Sequence, residues 1–276
     1  MPLPPDLVTI AADGCSLDLD LAHGARAVSW RVDGIELLGR RSGDPVEYGM
    51  YPMAPWAGRL RGNAVARGGS SVVLPVTYEP WALHGTVLDQ PVELVERTPA
   101  RMVSRFTAHE GWPWAADVAV AWTVEPGAVQ TDIEVSAVDE PFPAVVGWHP
   151  WFRRSLESGG PLQWSLDAVC RLERGADHLP TGRRLPFDPA DGPFDDAFEV
   201  PSGSARVRWP GALAVDISSD AGWYVVYDQT DDFVCVEPQS GPPDGLREAP
   251  LVVPGSPLVM RTTWRFRSDA LPGDPA

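Results

Sequence analysis

Short runs in which apolar and polar residues alternate recur along most of the chain. Residues 16–21 and 27–32 are examples, and every second residue in them is apolar. This period of two is typical of a β-strand with one buried face. Asp33-Gly34 follows the second run and is a pair favoured in two-residue hairpin turns. Further runs of this kind are residues 35–38, 71–74, 92–96, 102–108, 117–124, 129–137, 213–218, 223–227, 233–237 and 258–266.

The pattern predicts an all-β protein. No segment carries apolar residues at helical spacing over three turns, and 30 prolines with 26 glycines leave little room for long helices. We therefore expect a large antiparallel β-sandwich of packed sheets, in a single domain over residues 1–267. Residues 268–276 contain two prolines and two aspartates and are expected to form a disordered tail.

Charge and cysteine content narrow the class of protein. The formal charge is −16, and every basic residue is an arginine, which argues against binding to nucleic acid or to an anionic membrane surface. The three cysteines are widely separated and lack metal-ligand spacing, so we expect a reduced, cytoplasmic protein. No signal peptide or membrane-spanning run is expected. Nothing in the sequence indicates an oligomeric state.

The most unusual composition occurs in residues 147–152, where His149 lies between Trp148 and Trp151 after an apolar run. Imidazole titrates near neutral pH, so a histidine at a strand end beside aromatic surface could exchange a proton with a stacked substrate. A structural histidine held by hydrogen bonds is the alternative interpretation.

Three loops add further candidates. Arg59 lies in a proline-rich, aromatic segment, and its guanidinium could anchor hydroxyl or carboxylate groups, although a surface ion pair would explain it equally well. His84 precedes Gly85, a pair that also occurs in ordinary turns. Asp195 and Asp196 lie between phenylalanines, and an Asx-type turn is their simplest explanation.

Glu237 is a fourth candidate, because it ends an apolar run and precedes Pro238. A residue before proline is restricted to extended conformations, which narrows the directions in which its carboxylate can point. A plain surface glutamate at a strand end is the alternative.

Together these residues are typical of a carbohydrate site. The 12 tryptophans could stack on the C–H face of a pyranose, while charged groups pair with its hydroxyls. A glutamate with a pKa of about 4.3 is ionised at neutral pH and accepts a proton, and a histidine near 6.5 can be held protonated by neighbouring carboxylates. One base and one acid, at O1 and the ring oxygen, are what opening a hemiacetal requires.

Five segments, in order, resemble the motifs of the aldose 1-epimerase (galactose mutarotase) family. They cover most of the chain, and their shared order makes the resemblance more specific than any single motif. The resemblance implies a large antiparallel β-sandwich. The segments are Pro52-Met53-Ala54-Pro55-Trp56-Ala57-Gly58-Arg59-Leu60, Leu83-His84-Gly85, Gly147-Trp148-His149-Pro150-Trp151-Phe152, Phe194-Asp195-Asp196-Ala197-Phe198 and Val236-Glu237-Pro238-Gln239.

The resemblance also implies roles for the candidates. Glu237 would be the general base on the anomeric hydroxyl, and His149 the general acid on the ring oxygen. Both return to their starting states in each turnover, so no cofactor and no metal are expected, and the partner is a small-molecule sugar. The residues implied to bind and orient its hydroxyls are His84, Arg59 and Asp195.

Asp195 is preferred to Asp196 because the family's aspartate lies three residues before a phenylalanine, here Phe198. Other positions depart from the family's pattern. Gly58 stands where asparagine is common, and an aromatic residue is frequent at the position after His84-Gly85. Trp151 replaces the commoner tyrosine. These departures leave the preferred sugar open.

Three alternatives stay open. A glycoside hydrolase would use Asp195 and Glu237 as its carboxylate pair. A hexose-phosphate epimerase of the same superfamily would need additional cations near the site. A non-catalytic sugar-binding or regulatory protein would use the same cleft without turnover. The candidate cations for a phosphate are Arg153, Arg154 and the pair Arg59 with Arg61.

Overall fold

The computed structural model describes residues 6–108 and 111–269, and this part is mostly β-sheet. Its only helices are single 3₁₀ turns at Arg61–Asn63, Pro189–Asp191 and Gly245–Arg247, so no helix in these residues could cross a bilayer. The strands are β1 (Leu7–Ala12), β2 (Cys15–Asp20), β3 (Arg26–Val32), β4 (Ile35–Glu36), β5 (Met50–Met53), β6 (Ala64–Arg67), β7 (Ser70–Val73), β8 (Glu93–Arg97), β9 (Arg101–Ala108), β10 (Ala116–Glu125), β11 (Ala128–Ala137), β12 (Phe142–Pro143), β13 (Gly147–Pro150), β14 (Phe152–Arg153), β15 (Gln163–Leu166), β16 (Cys170–Arg174), β17 (Pro180–Leu185), β18 (Asp195–Glu199), β19 (Ser204–Trp209), β20 (Leu213–Ser219), β21 (Trp223–Tyr227), β22 (Phe233–Gln239), β23 (Leu251–Val252) and β24 (Leu258–Ser268).

Two large antiparallel sheets form the body of the molecule. The first has the order β1-β2-β3-β5-β13-β22-β21-β18-β16-β17, with β4 on β3 and β14 on β22. The second has the order β15-β19-β20-β24-β11-β10-β9-β8. Two small sheets are formed by β6 with β7 and by β12 with β23. The predicted all-β antiparallel sandwich is confirmed.

Tryptophans join the two large sheets. Trp30 on β3 meets Trp264 on β24 with ring centroids 6.2 Å apart, and Trp122 on β10 meets Trp148 on β13 at 4.6 Å. Large aromatic side chains contribute strongly to such a core. Nine of the 12 tryptophans are buried, so the idea that the tryptophan surplus serves sugar stacking is wrong for most of them. The fully buried tryptophans are Trp30, Trp56, Trp122, Trp148, Trp209 and Trp264.

The hairpin predicted at Asp33-Gly34 is present. Val32 pairs with Ile35 across it, and the two turn residues have φ values of 49° and 83°. A type I′ turn requires positive φ at both central residues, which explains why an Asp-Gly pair occupies this position.

Asp195 and Asp196 begin β18 and do not lie in an Asx-type turn. The first residue of β18 pairs with Tyr227 and the last pairs with Trp223 on β21. This pairing depends on a strand further along the chain, so the local sequence alone did not indicate it.

The last strand reaches the predicted tail. Ser268 pairs with Leu213, and the Asp269 carboxylate accepts a hydrogen bond from Nε of Arg208 at 2.8 Å. The described chain therefore includes the first two residues of the predicted tail, and residues 270–276 lie outside the described part.

Candidate active site

A cavity of about 270 Å³ opens on the first sheet. Its wall includes Leu172, Ala197 and Val225, which form an apolar cluster separate from the main core. Phe198 follows Ala197 and Val226 follows Val225, and both of these next residues belong to the main core. Since side chains alternate along a strand, the cavity lies on the outer face of this sheet. All five residues singled out in the sequence line it: Arg59, His84, His149, Asp195 and Glu237.

His149 is held between two aromatic rings. It pairs with Tyr51 across β13 and β5, and Trp151 follows two residues later. The imidazole stacks on Tyr51 at 4.8 Å and on Trp151 at 5.4 Å between ring centroids. Tyr51 Oη and Trp151 Nε1 both donate to the carbonyl of Val46, at 3.0 and 2.9 Å. Packing therefore fixes the plane of the imidazole.

Glu237 faces His149 from the neighbouring strand β22. Its Oε1 lies 3.3 Å from Nε2 of His149, and the two side chains are only 2% and 7% exposed. The other oxygen, Oε2, accepts a hydrogen bond from Nε2 of Gln239 at 3.1 Å. The fold thus brings a carboxyl group and an imidazole into contact at a site largely shielded from water.

Burial shifts the pKa values of this pair toward the neutral forms. It raises the pKa of Glu237 well above the ordinary value, and Asp195 adds to the rise. It lowers the pKa of His149 to about 3, with smaller contributions from Arg26 and Arg59. Desolvation therefore opposes the protonated form of His149, which the neighbouring carboxylates were expected to stabilise. The neutral pair and the ion pair differ only in the position of one proton.

His84 presents a neutral ring to the same cavity. Its Nδ1 accepts a hydrogen bond from the Gly58 N–H at 3.2 Å, so the neutral tautomer carries its proton on Nε2. The ring meets that of His149 edge-on, with centroids 5.0 Å apart. Burial lowers the pKa of His84 well below the ordinary value, and His149 and Arg59 lower it further. His84 is thus suited to donate a hydrogen bond from Nε2.

A close backbone approach positions His84. Gly85 has a φ of 81° and bridges to Ala54. A Cβ atom at this position would overlap the Ala54 carbonyl. Glycine is therefore required here both for its left-handed conformation and for the lack of a side chain.

Asp195 connects two arginines on the cavity wall. Its Oδ2 lies 3.6 Å from Nη1 of Arg59 and 3.1 Å from Nη1 of Arg174. Asp196 is held by Arg174 and Arg171, at 3.2 Å in each case. Both aspartates line the cavity, and of the two it is Asp195 that contacts Arg59. Burial raises the pKa of Asp195, while Arg59 and Arg174 oppose the rise.

Arg174 and Gln239 also line the cavity and were missed in the sequence. Arg174 follows a register shift in the pairing of β16 with β17, and no local pattern marks such an irregularity. Gln239 lies two residues after Glu237, so the period of a strand would have placed both side chains on one face.

Of the four arginines proposed to bind a phosphate, Arg59 lines the cavity, and the other three lie elsewhere. Arg153 and Arg154 donate to backbone carbonyls, and Arg61 pairs with Asp177 and Asp244. None of these three belongs to the described lining of the cavity.

One group in the described chain has the composition of a metal site. The donor atoms of His149, Cys235 and Glu237 all lie within 4.8 Å of one another. Burial raises the pKa of the Cys235 thiol well above its ordinary value, which opposes the deprotonation that binding a metal would require. The expectation that no metal is required stays a prediction.

The chain is similar to known proteins in sequence pattern and in fold. A family model described as aldose 1-epimerase matches residues 6–246. No curated protein matched the sequence. A solved structure of a galactose 1-epimerase from Lactobacillus acidophilus NCFM is 16% identical, with a TM-score of 0.78 over 95% of this chain and 94% of that chain.

Two further solved structures share the fold. A galactose mutarotase-like protein from Clostridium acetobutylicum is 14% identical, with a TM-score of 0.81 over 95% of both chains. An aldose epimerase homologue from C. elegans is 16% identical, with a TM-score of 0.78 over 95% of this chain and 98% of that chain. At these identities the similarity shows the fold alone.

Proposed function

The chain belongs to the aldose 1-epimerase family, and from this premise we propose that it is a mutarotase, which interconverts the α and β anomers of a free hexose or related aldose. The contact between Glu237 and His149, 3.3 Å apart at the cavity, is the observation that carries the proposal. In it, Glu237 is the base on the anomeric hydroxyl and His149 the acid on the ring oxygen. His84, Arg59 and Asp195 bind the remaining hydroxyls.

The reaction starts from the ion-pair form of the two residues, which the neutral pair reaches when one proton moves from Glu237 to His149. Glu237 takes the proton from O1 while His149 gives a proton to O5, so the C1–O5 bond breaks as the C1–O1 double bond forms. Rotation about C1–C2 turns the other face of the aldehyde toward O5, and closure reverses both transfers. At the open-chain stage Glu237 is protonated and His149 is neutral. Burial favours these two protonation states, and so lowers the free energy of the intermediate relative to the ion-pair states.

The charges around the cavity favour an uncharged sugar. Arg59 and Arg174 are both engaged by Asp195, and Arg41 pairs with Glu47 at 2.9 Å. A phosphorylated sugar would need a cation not already paired with a carboxylate. The hexose-phosphate alternative therefore has weaker support from the site than the free aldose.

The test is polarimetry or proton NMR on freshly dissolved α-anomers of galactose, glucose, xylose and arabinose. Glu237→Gln is measured beside the unmodified chain, and Glu93→Gln, an exposed glutamate on the edge strand β8, serves as the matched control. We expect faster mutarotation of at least one sugar, lost in Glu237→Gln and kept in Glu93→Gln.

Other outcomes would redirect the proposal. Acceleration with sugar phosphates alone would select the phosphorylated substrate class. Saturable binding of a sugar without acceleration, in protein shown to be folded, would identify a binding or regulatory protein. If the folded protein neither accelerates mutarotation nor binds a sugar, the assignment is overturned.

A further inference from the structure

Gln239 is a fully buried polar residue in the cavity wall with an unsatisfied oxygen. None of its surface is exposed. Its Nε2 donates to Oε2 of Glu237 at 3.1 Å, but its Oε1 has no hydrogen-bond partner in the described chain. Buried polar atoms are nearly always paired, so an unpaired acceptor in a binding cavity points to a donor supplied by a ligand.

The sheet fixes the position of this side chain. Gln239 pairs with Gly147 on β13 and with Trp223 on β21, so β22 is enclosed on both sides at this residue. A Cβ atom at Gly147 would lie 2.8 Å from Cγ of Gln239. The glutamine side chain therefore occupies the space left by the missing side chain of Gly147, and this packing limits its freedom to turn away from Glu237.

The chemistry of the neighbours fixes the orientation of the amide. In the ion-pair form from which the proposed reaction starts, the Glu237 carboxylate only accepts hydrogen bonds, so the amide N–H faces Glu237 and Gln239 Oε1 turns elsewhere. Oε2 of Glu237 accepts this hydrogen bond, so its Oε1 is the oxygen available for proton transfer. It lies 3.3 Å from Nε2 of His149.

We propose that Gln239 has two tasks in this site: its amide N–H holds Glu237 so that one carboxylate oxygen is committed to proton transfer, and its carbonyl oxygen accepts a hydrogen bond from a hydroxyl of the bound aldose. The second task makes Gln239 a substrate-contacting residue, and the first makes it a positioning residue. The inference rests on the proposed mutarotase function.

Gln239→Met tests both tasks, because methionine has similar length and no hydrogen-bonding amide. Gln130→Met is the matched control, since Gln130 donates from Nε2 to Oε2 of Glu125 at 2.7 Å on the exposed surface. We expect kcat/KM to fall roughly 10- to 100-fold in Gln239→Met, the effect of losing one or two hydrogen bonds to a charged group and a ligand. Gln130→Met should match the unmodified chain.

Deoxy sugars identify the substrate contact. The 2-, 3-, 4- and 6-deoxy analogues of the best aldose are compared between the unmodified chain and Gln239→Met. The loss caused by the substitution should shrink severalfold for the one analogue that lacks the hydroxyl bound by Gln239, because that hydrogen bond is already absent. An equal loss for every analogue would overturn the substrate contact.

The pH profile identifies the positioning task. The titratable and charged groups near Glu237 are Tyr51 on β5, His149 on β13, Asp195 on β18, Cys235 on β22 and Arg59 on its loop, and Gln239→Met replaces none of them. Loss of the amide bond removes a contact that lowers the pKa of Glu237, so the acid limb of kcat/KM should move to higher pH. An unmoved limb would overturn this task.

A second variant keeps the proposal testable if Gln239→Met does not fold. Gln239→Glu keeps the size of the side chain and places a second carboxyl group beside Glu237, so the acid limb should move to still higher pH. If the unmodified chain accelerates no sugar, the proposed function and this inference both fail. If it is active but Gln239→Met and Gln239→Glu behave like it, only this inference fails.

Discussion

The imidazole of His149 stacks on Tyr51 and Trp151. These two rings are held by their own hydrogen bonds, so the site should keep its shape when the imidazole is replaced. We expect His149→Asn to lower kcat by about 10²- to 10⁴-fold, the usual contribution of one positioned proton donor. Mutarotation followed by polarimetry measures the loss, and near-UV circular dichroism checks that the fold is retained. A kcat within a few-fold of the unmodified chain would remove His149 from the proposed proton transfers.

The opposite pKa shifts of the pair predict opposite pH dependences of stability. His149 has a pKa near 3 in the folded chain and 6.5 as its ordinary value. The unfolded chain therefore binds a proton that the folded chain does not bind within this range. The free energy of unfolding should fall as the pH drops through it, by up to about 1.4 kcal/mol per pH unit. For Glu237 the folded pKa lies above the ordinary 4.5. Its stabilising contribution is complete below that value and is lost as the pH rises.

Urea unfolding at several pH values checks this prediction. The stability of His149→Asn relative to the unmodified chain should rise as the pH falls below 6.5. The relative stability of Glu237→Gln should rise as the pH climbs above 4.5. Each variant serves as the other's control, and two flat differences would contradict the burial of the pair.

Sequence reasoning at this scale found the two side chains that the fold brings into contact in the cavity, but not their protonation. Glu237 and His149 each lie in an unusual local context, beside proline or tryptophan, and this context is visible in the chain. Burial and the nearby charges of Asp195 and Arg26 are not visible there, because both depend on which residues folding brings together. Gln239 was overlooked although the period of the strand could have indicated it.

At the scale of elements, the turn that carries His84 should be sensitive to a single methyl group. Gly85 and Gly34 have nearly equal φ values, 81° and 83°. A Cβ atom at Gly34 meets nothing within 4 Å, whereas one at Gly85 overlaps the Ala54 carbonyl. Gly34→Ala should lose about 1–2 kcal/mol of stability for its backbone conformation. Gly85→Ala should lose about 1–3 kcal/mol more, because the backbone must shift.

Denaturant titrations of Gly34→Ala and Gly85→Ala separate the cost of the backbone conformation from the cost of the close approach to Ala54. The value of kcat/KM reports the displacement of His84. Equal losses of stability in both variants would show that the close approach to Ala54 is not limiting.

A buried arginine joins three segments around the first sheet. Arg26, at the start of β3, donates to the carbonyls of Tyr48 and Leu88 at 3.0 and 2.7 Å and to that of Pro45. Arg26→Met would leave these carbonyls without a donor, and we expect a loss on the order of 3 kcal/mol. Arg31→Met is the control on the same strand, since its ion pairs with carboxylates lie at the surface and contribute about 0–1 kcal/mol. Thermal unfolding compares the two, and similar losses would contradict the role of Arg26.

The sequence indicated most strands of the second sheet but none of the strands between β14 and β20. The alternation in β9, β10, β11 and β24 is regular because one face is buried against the first sheet. In β17 four consecutive residues are exposed, so no apolar face marks it. β18 begins with two charged residues, Asp195 and Asp196, and still forms a strand, because it pairs with β21.

At the scale of the whole molecule, the site depends on the order of strands in the first sheet. β13 lies between β5 and β22, which brings Tyr51, His149 and Glu237 together from distant parts of the sequence. Alternation could predict a sandwich, since it reports one buried face per strand. It could not predict which strands become neighbours, and the resemblance to a family was what grouped the five candidates in advance.

The basic side chains of this cavity are arginines and histidines, because the chain contains no lysine. An aldehyde released beside lysine condenses with the ε-amine to form an imine, whereas guanidinium and imidazole do not form one readily. Prolonged incubation with an aldose and cyanoborohydride should therefore add sugar to the 276-residue chain only at its α-amine, with activity retained, while a lysine-bearing protein in the same solution accumulates several adducts. Mass spectrometry locates the adducts, and adducts at internal residues would contradict this prediction. A mutarotase of this composition would be largely protected from glycation by the open-chain sugar that it generates.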